Sequence, residues 1–90
     1  MVTFTASRIS SDDNTLFPDR IEIDNYNVTY YKGYVFGYQS TVIARSNIAS
    51  VSVDSGIFYA DVIINSNGGQ RIVGSGFKKS DAKEIVRILT

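Results

Sequence analysis

No cysteine and no histidine occur in the 90 residues. Without thiols there is no disulfide framework and no thiolate zinc site, and without imidazole the commonest metal ligand and the usual general base are both missing. Tryptophan is also absent, and proline and methionine occur once each. No sign of charge dominates, because nine Lys and Arg balance nine Asp and Glu. The molecule therefore has no long-range field to draw in nucleic acid or an anionic bilayer. Apolar runs such as Val62-Ile63-Ile64 are a few residues long, where a bilayer crossing takes about 20. The opening Met1 to Arg8 lacks the charged start, apolar run and small-residue cleavage site of a secretory signal, so the expected location is cytoplasmic.

What is there is an ordinary globular composition, with 43% apolar and 20% charged residues. A chain of this size makes one domain and has no room for a second. Short runs rich in Val, Ile, Tyr and Thr alternate with Gly, Asn, Asp and Ser clusters, the pattern of an antiparallel meander. A first strand is expected within Val2 to Ile9, a polar turn at Ser10 to Asn14, and an extended edge at Leu16-Phe17-Pro18. From Arg20 to Asp24 charged residues flank Ile21 and Ile23, which places both isoleucines inward. A turn at Asp24-Asn25 leads to Val28–Tyr31, and Lys32-Gly33 is expected to turn the chain into a long strand from Tyr34 to Arg45. Ile48 to Val53, the turn Asp54-Ser55-Gly56 and Phe58 to Asn65 come next. Asn67-Gly68-Gly69 then signals a hairpin through a primed turn, pairing Ala60–Asn65 with Gln70–Gly74.

Only the end changes period. Ala82, Ile85, Val86 and Leu89 follow helical spacing, while Lys79, Lys83 and Arg87 run up the other side. Ser80 is the expected cap, with Asp81 and Glu84 near the positive end of the helix dipole. The apolar stripe suits a lid over a strongly curved sheet whose inward residues include Ile21, Val28, Ile43, Val51 and Val53.

The run Asp19-Arg20-Ile21-Glu22-Ile23, then Val28-Thr29-Tyr30, Ser40 to Ile48 and Val51-Ser52-Val53, with Gly76-Phe77 and Asp81 to Ile85 near the end, resembles the short bacterial pleckstrin-homology-like (PH-like) domains. The resemblance spans about Leu16 to Leu89. It implies a mainly β fold: a PH-like barrel of about seven antiparallel strands in two nearly orthogonal sheets, capped by one C-terminal helix. The single domain 1–90 then divides into an N-terminal strand and turn (1–14), the remaining strands (15–77) and the capping helix (78–90). It implies binding of lipids, peptides or proteins and no catalysis. Phosphoinositide-binding PH domains present several cations on the first loop, whereas Asp24-Asn25-Tyr26-Asn27, taken as that loop, carries an acid and no base, so strong phosphoinositide binding is not expected.

Few residues point to chemistry. Gly74 to Ser80 lacks the spacing of a phosphate-binding loop, and its glycines are better suited to a bulge and a close approach of strand to helix. Glu22 and Asp24 share a strand face, but a paired-carboxylate site needs a cleft to raise one pKa. Asp12-Asp13-Asn14 lacks the spaced oxygens of a calcium loop. The distinctive feature is six tyrosines, five of them between Tyr26 and Tyr38. Tyr30, Tyr31, Tyr34, Phe36 and Tyr38 are the candidate protein-binding residues, since side chains with apolar bodies and polar tips suit interfaces. Two readings stay open for them: rings packed on one another over the barrel, and a surface for a protein partner or self-association. Lys78, Lys79, Lys83 and Arg87 are candidates for weak anion or peripheral lipid contact. No cofactor, metal or nucleic-acid partner is expected, and membrane contact is not expected either.

Overall fold

The computed structural model describes residues 1–6, 18–34 and 37–90. The expected turn at 10–14, the acids of 12–14, and Leu16, Phe17 and Phe36 lie outside the described residues. Among the described residues, seven antiparallel strands form two sheets, with one helix at the end of the chain. The first sheet has the order β1 (Val2–Thr5), β2 (Arg20–Ile23), β3 (Asn27–Tyr34), β4 (Gly37–Ala44); the second has β5 (Ile48–Ser55), β6 (Tyr59–Ser66), β7 (Arg71–Lys78). A 3₁₀ turn, Arg45–Asn47, links the sheets, and α1 (Lys79–Leu89) continues directly from β7.

Alternation drives burial as the sequence predicts. Ile21 and Ile23 of β2 face Tyr30 and Val28 of β3, and all four are buried with Phe4 and Ile43. The inner face of the second sheet contributes Ala60, Val62, Ile64, Ile72 and Phe77, and α1 adds Ala82 and Ile85, giving one core. Val51 and Val53 pack against it half-buried. The helix stripe faces inward as expected, with Lys79, Lys83 and Arg87 outside.

Four local expectations are corrected. Lys32-Gly33 is no turn: β3 runs through it, Lys32 opposite Gln39 and Gly33 opposite Tyr38, so the chain reverses between Tyr34 and Gly37. The Asp19 carboxylate accepts the Gly33 N–H at 3.0 Å and holds that stretch extended. β5 continues through Ser55, and the next turn centres on Ile57-Phe58, with β6 starting at Tyr59. At Asn67-Gly68-Gly69 only Gly69 has a positive φ, +89°, so the hairpin is not closed by a primed turn, which needs a positive φ at one or both central residues. Ser80 makes no cap; the helix begins at Lys79 and its N-terminal flanking residue, Lys78, has no capping side-chain bond.

The glycines of β7 do form a bulge. Ala60 pairs with Phe77 but Val62 with Gly74, so an extra residue sits in β7, where Gly76 has φ +81°. The bulge buries Gly76 and Phe77 in succession, turning the Phe77 ring inward. The close approach at Gly74 is to that ring rather than to the helix. A Cβ there would stand 2.8 Å from Phe77 Cε2 and 3.3 Å from Ile21 Cδ1. Gly74→Ala is therefore expected to overpack a fully buried ring and destabilise the fold by about 1–3 kcal/mol, read as a lower urea midpoint.

Arg45 ties the helix to the first sheet. Its Nη1 donates to the Asp24 carbonyl and its Nη2 to the Ile88 carbonyl, both at 2.9 Å. The second bond satisfies an orphan carbonyl of the last helical turn. Arg45→Lys keeps the charge but loses the fork, so a lowered melting temperature and faster amide exchange at the C-terminus of α1 are expected. Unchanged exchange there would show that the fork holds nothing.

Candidate functional site

Four of the tyrosines, Tyr30, Tyr31, Tyr34 and Tyr38, lie on the β3–β4 hairpin. Because the chain reverses between Tyr34 and Gly37, Tyr34 and Tyr38 lie on opposite strands, not together on the long strand expected from Tyr34 to Arg45. Tyr30 points into the core at 7% exposure, and its hydroxyl donates to Asp19 at 2.6 Å. Tyr31 and Tyr38 are diagonal neighbours on the outer face, their rings 6.2 Å apart and edge to face. Over both lies Arg20, its guanidinium carbon 4.1 Å from the Tyr31 centroid and 4.8 Å from that of Tyr38. Arg20 also donates to Glu22 at 3.3 Å. This cluster satisfies its own charge and much of its aromatic surface, and Tyr38 remains 41% exposed.

The carboxylates weighed for catalysis have partners too. Glu22 pairs with Arg20. Asp24 accepts the amides of Tyr26 at 2.8 Å and Asn27 at 2.6 Å, closing the β2–β3 turn. That turn comes after the second strand rather than the first, so it is not the first loop of the sheet. The two amides, with Tyr26 contributing most, hold the Asp24 carboxyl below its ordinary pKa, the opposite of what a general acid needs. Among the described residues no three potential metal ligands converge.

A second surface has no signature in the sequence. Within the described residues β5 pairs only with β6, leaving its other edge without a strand partner, and α1 packs beside it. Between them runs a groove of about 310 Å³ lined by Val51, Ser52, Val53, Lys83 and Val86. Its valines are legible as inward-facing, but sequence alternation does not tell an edge strand from a central one.

The hydrogen-bonding phase of this edge is set by the turn. Gly56 N donates to Tyr59 O at 2.8 Å, so Gly56 and, stepping by two, Asp54 and Ser52 exchange their bonds with β6. The backbone groups of Val51 and Val53 are left facing outward along the free edge, beside the groove. Such a row is a template for an added strand.

The basic candidates lie together at the start of α1 and along its outer face. Arg87 is held by Glu84, while Lys78, Lys79 and Lys83 make no ion pair among the described residues. No helix of the described residues is long and apolar enough to cross a membrane.

For Asp24, a folded pKa below the unfolded one means that the ionised carboxylate stabilises the turn above its ordinary 3.8 and that this contribution fades as pH falls through the lower folded value. NMR titration of the side-chain carbonyl should give a midpoint below 3.8, and Asp24→Asn should remove the matching shift of the Asn27 amide. Searches against family models, curated proteins and solved structures find no match to this chain.

Proposed function

We propose that this chain is a non-catalytic binding module of PH-like architecture, acting through protein contact, and that the contact is strand addition along β5 by β5 of a second copy. The observation that carries the reading is the free edge of β5 beside the groove under α1. Four strands, three strands and a terminal helix, in that order, support the PH-like part.

The sequence of the edge is what favours a second copy. Ser50-Val51-Ser52-Val53-Asp54 reads nearly the same in both directions about Ser52. In an antiparallel pairing about a two-fold axis at Ser52, Val51 lies opposite Val53 of the second copy, and both have outward-facing backbone groups. The register thus satisfies the hydrogen-bond phase on both sides at once, as an isologous contact requires. It also sets Ser50 opposite Asp54 of the second copy, a hydroxyl donor facing a carboxylate, and joins the two valine rows into one apolar strip. The other edges fit less well: β1 has four residues, β7 carries the bulge at Gly76, and β4, an open edge of eight residues, has a sequence with no such two-fold pattern.

Ser52 is exposed, so replacing it leaves the core untouched. At the two-fold centre it would meet its own copy across a closely spaced pair, roughly 4.5 Å between Cα atoms. Ser52→Lys is expected to shift sedimentation from dimer to monomer, and Ser52→Glu likewise, by like-charge repulsion. An equimolar mixture of the two variants should recover the dimer. A monomeric parent at high concentration, or a mixture that stays monomeric, removes the second copy as occupant.

A further inference from the structure

We propose that the Ile57-Phe58 tip of the β5–β6 hairpin is an insertion point for an anionic lipid surface, with Lys78 and Lys79 meeting the headgroups. Ile57 is 84% exposed and Phe58 78%, side by side. The tip is a formed turn, closed by the Gly56 N–H to the Tyr59 carbonyl. Neither local preference nor the core explains these residues. Two-residue hairpin turns favour Asn, Asp and Gly, which tolerate positive φ, and neither Ile57 nor Phe58 has a positive φ or a place in the core.

What surrounds the tip indicates the partner. Tyr59, the next residue, is half-buried and pairs across the sheet with Lys78, which Lys79 adjoins. Next to the apolar tip, one rung thus carries an amphipathic tyrosine and a lysine, with a second lysine adjoining, and neither lysine makes an ion pair among the described residues. Apolar side chains bordered by an amphipathic ring and cations match a membrane interface, with the tip in the acyl region and the ring and lysines at the headgroups. A convex point of two side chains offers too little area for a stable protein interface, which buries upward of about 1,000 Å². A bilayer demands no matching shape.

The acids near this end set the balance of forces. Asp54 and Asp61 face each other two rungs below the closing Gly56–Tyr59 pair, and Asp81 lies in the first turn of α1. They offset part of the lysine attraction, so apolar insertion dominates and the salt dependence is shallow. The site is separate from the β5 edge, since pairing about Ser52 through Val51 and Val53 leaves residues 57 and 58 unpaired.

The chain has no tryptophan, so Phe58→Trp gives a single reporter. Its emission is expected to shift to the blue on phosphatidylcholine vesicles containing phosphatidylglycerol, and brominated acyl chains should quench it. In vesicle sedimentation of the parent chain, Ile57→Ser with Phe58→Ser should lower partitioning by about tenfold or more. Lys78→Gln with Lys79→Gln should lower it several-fold on anionic vesicles and leave neutral ones unaffected. An unshifted emission with no pelleting of the parent overturns the proposal. So does an Ile57/Phe58 double variant that pellets like the parent, or one that instead alters sedimentation of the lipid-free protein, which would make the tip a protein contact.

Discussion

The close contact over Gly74 is where the two sheets are locked together. Among the described residues no strand pairing joins them, so side-chain packing, with the Arg45–Asn47 link and its hydrogen bonds, fixes one layer on the other. The Phe77 ring of the second sheet and Ile21 of the first both reach into the volume that a Cβ on Gly74 would occupy. Phe77 can do so only because the bulge at Gly76 adds a residue and re-aims it inward. The same added residue sets the phase of the chain beyond it. Lys78 is turned outward beside Tyr59, and α1 starts with Ala82 and Ile85 facing the core. Two glycines that weaken a strand in isolation thus determine how the sheets and helix meet.

The helix is held at both ends by different means. Its N-terminus is continuous with β7, and the carbonyl of Ile88 near its C-terminus is bound by Arg45, which also grips the β2–β3 turn through Asp24 O. A helix fixed in this way lies beside β5 without sealing its edge, so the groove between them is a preformed feature of the backbone. Preformation lowers the ordering cost of adding a strand. The proposed pairing therefore needs no rearrangement of the protomer, and its specificity rests on the register about Ser52 rather than on a shaped pocket.

Much of the fold is legible in the sequence because local signals and burial agree. The alternation about Ile21 and Ile23, the Asn67-Gly68-Gly69 hairpin and the stripe of Ala82 and Ile85 each require only neighbouring residues to interpret. Where sequence and structure part, the deciding partner is mostly distant along the chain. Gly33 signals a turn until the Asp19 carboxylate is found bonding its N–H from 14 residues away. Tyr30 looks like surface until its hydroxyl is seen to reach the same carboxylate. The edge position of β5 depends on strand order, which no local pattern encodes. Asp54-Ser55-Gly56 is rich in turn formers and signals a reversal too early, which makes Phe58 look like the start of a strand and hides the exposed pair it forms with Ile57.

The two proposed contacts lie on β5 and on the turn that follows it, and their geometry is coupled. Antiparallel pairing about Ser52 places the hairpin tips of the two copies at opposite ends of the joined sheet. A flat bilayer can then receive only one tip of a pair, so pairing brings no avidity to membrane contact. A dimer seated by one tip leaves the other Ile57-Phe58 pair free, able to engage a second surface or to remain in water. The apolar tip and the open edge both break rules that a monomer in water would be expected to keep. That both lie on β5 or the turn after it, outside the tightly packed centre around Phe77, separates the part of the chain that holds the fold from the part left available for contact.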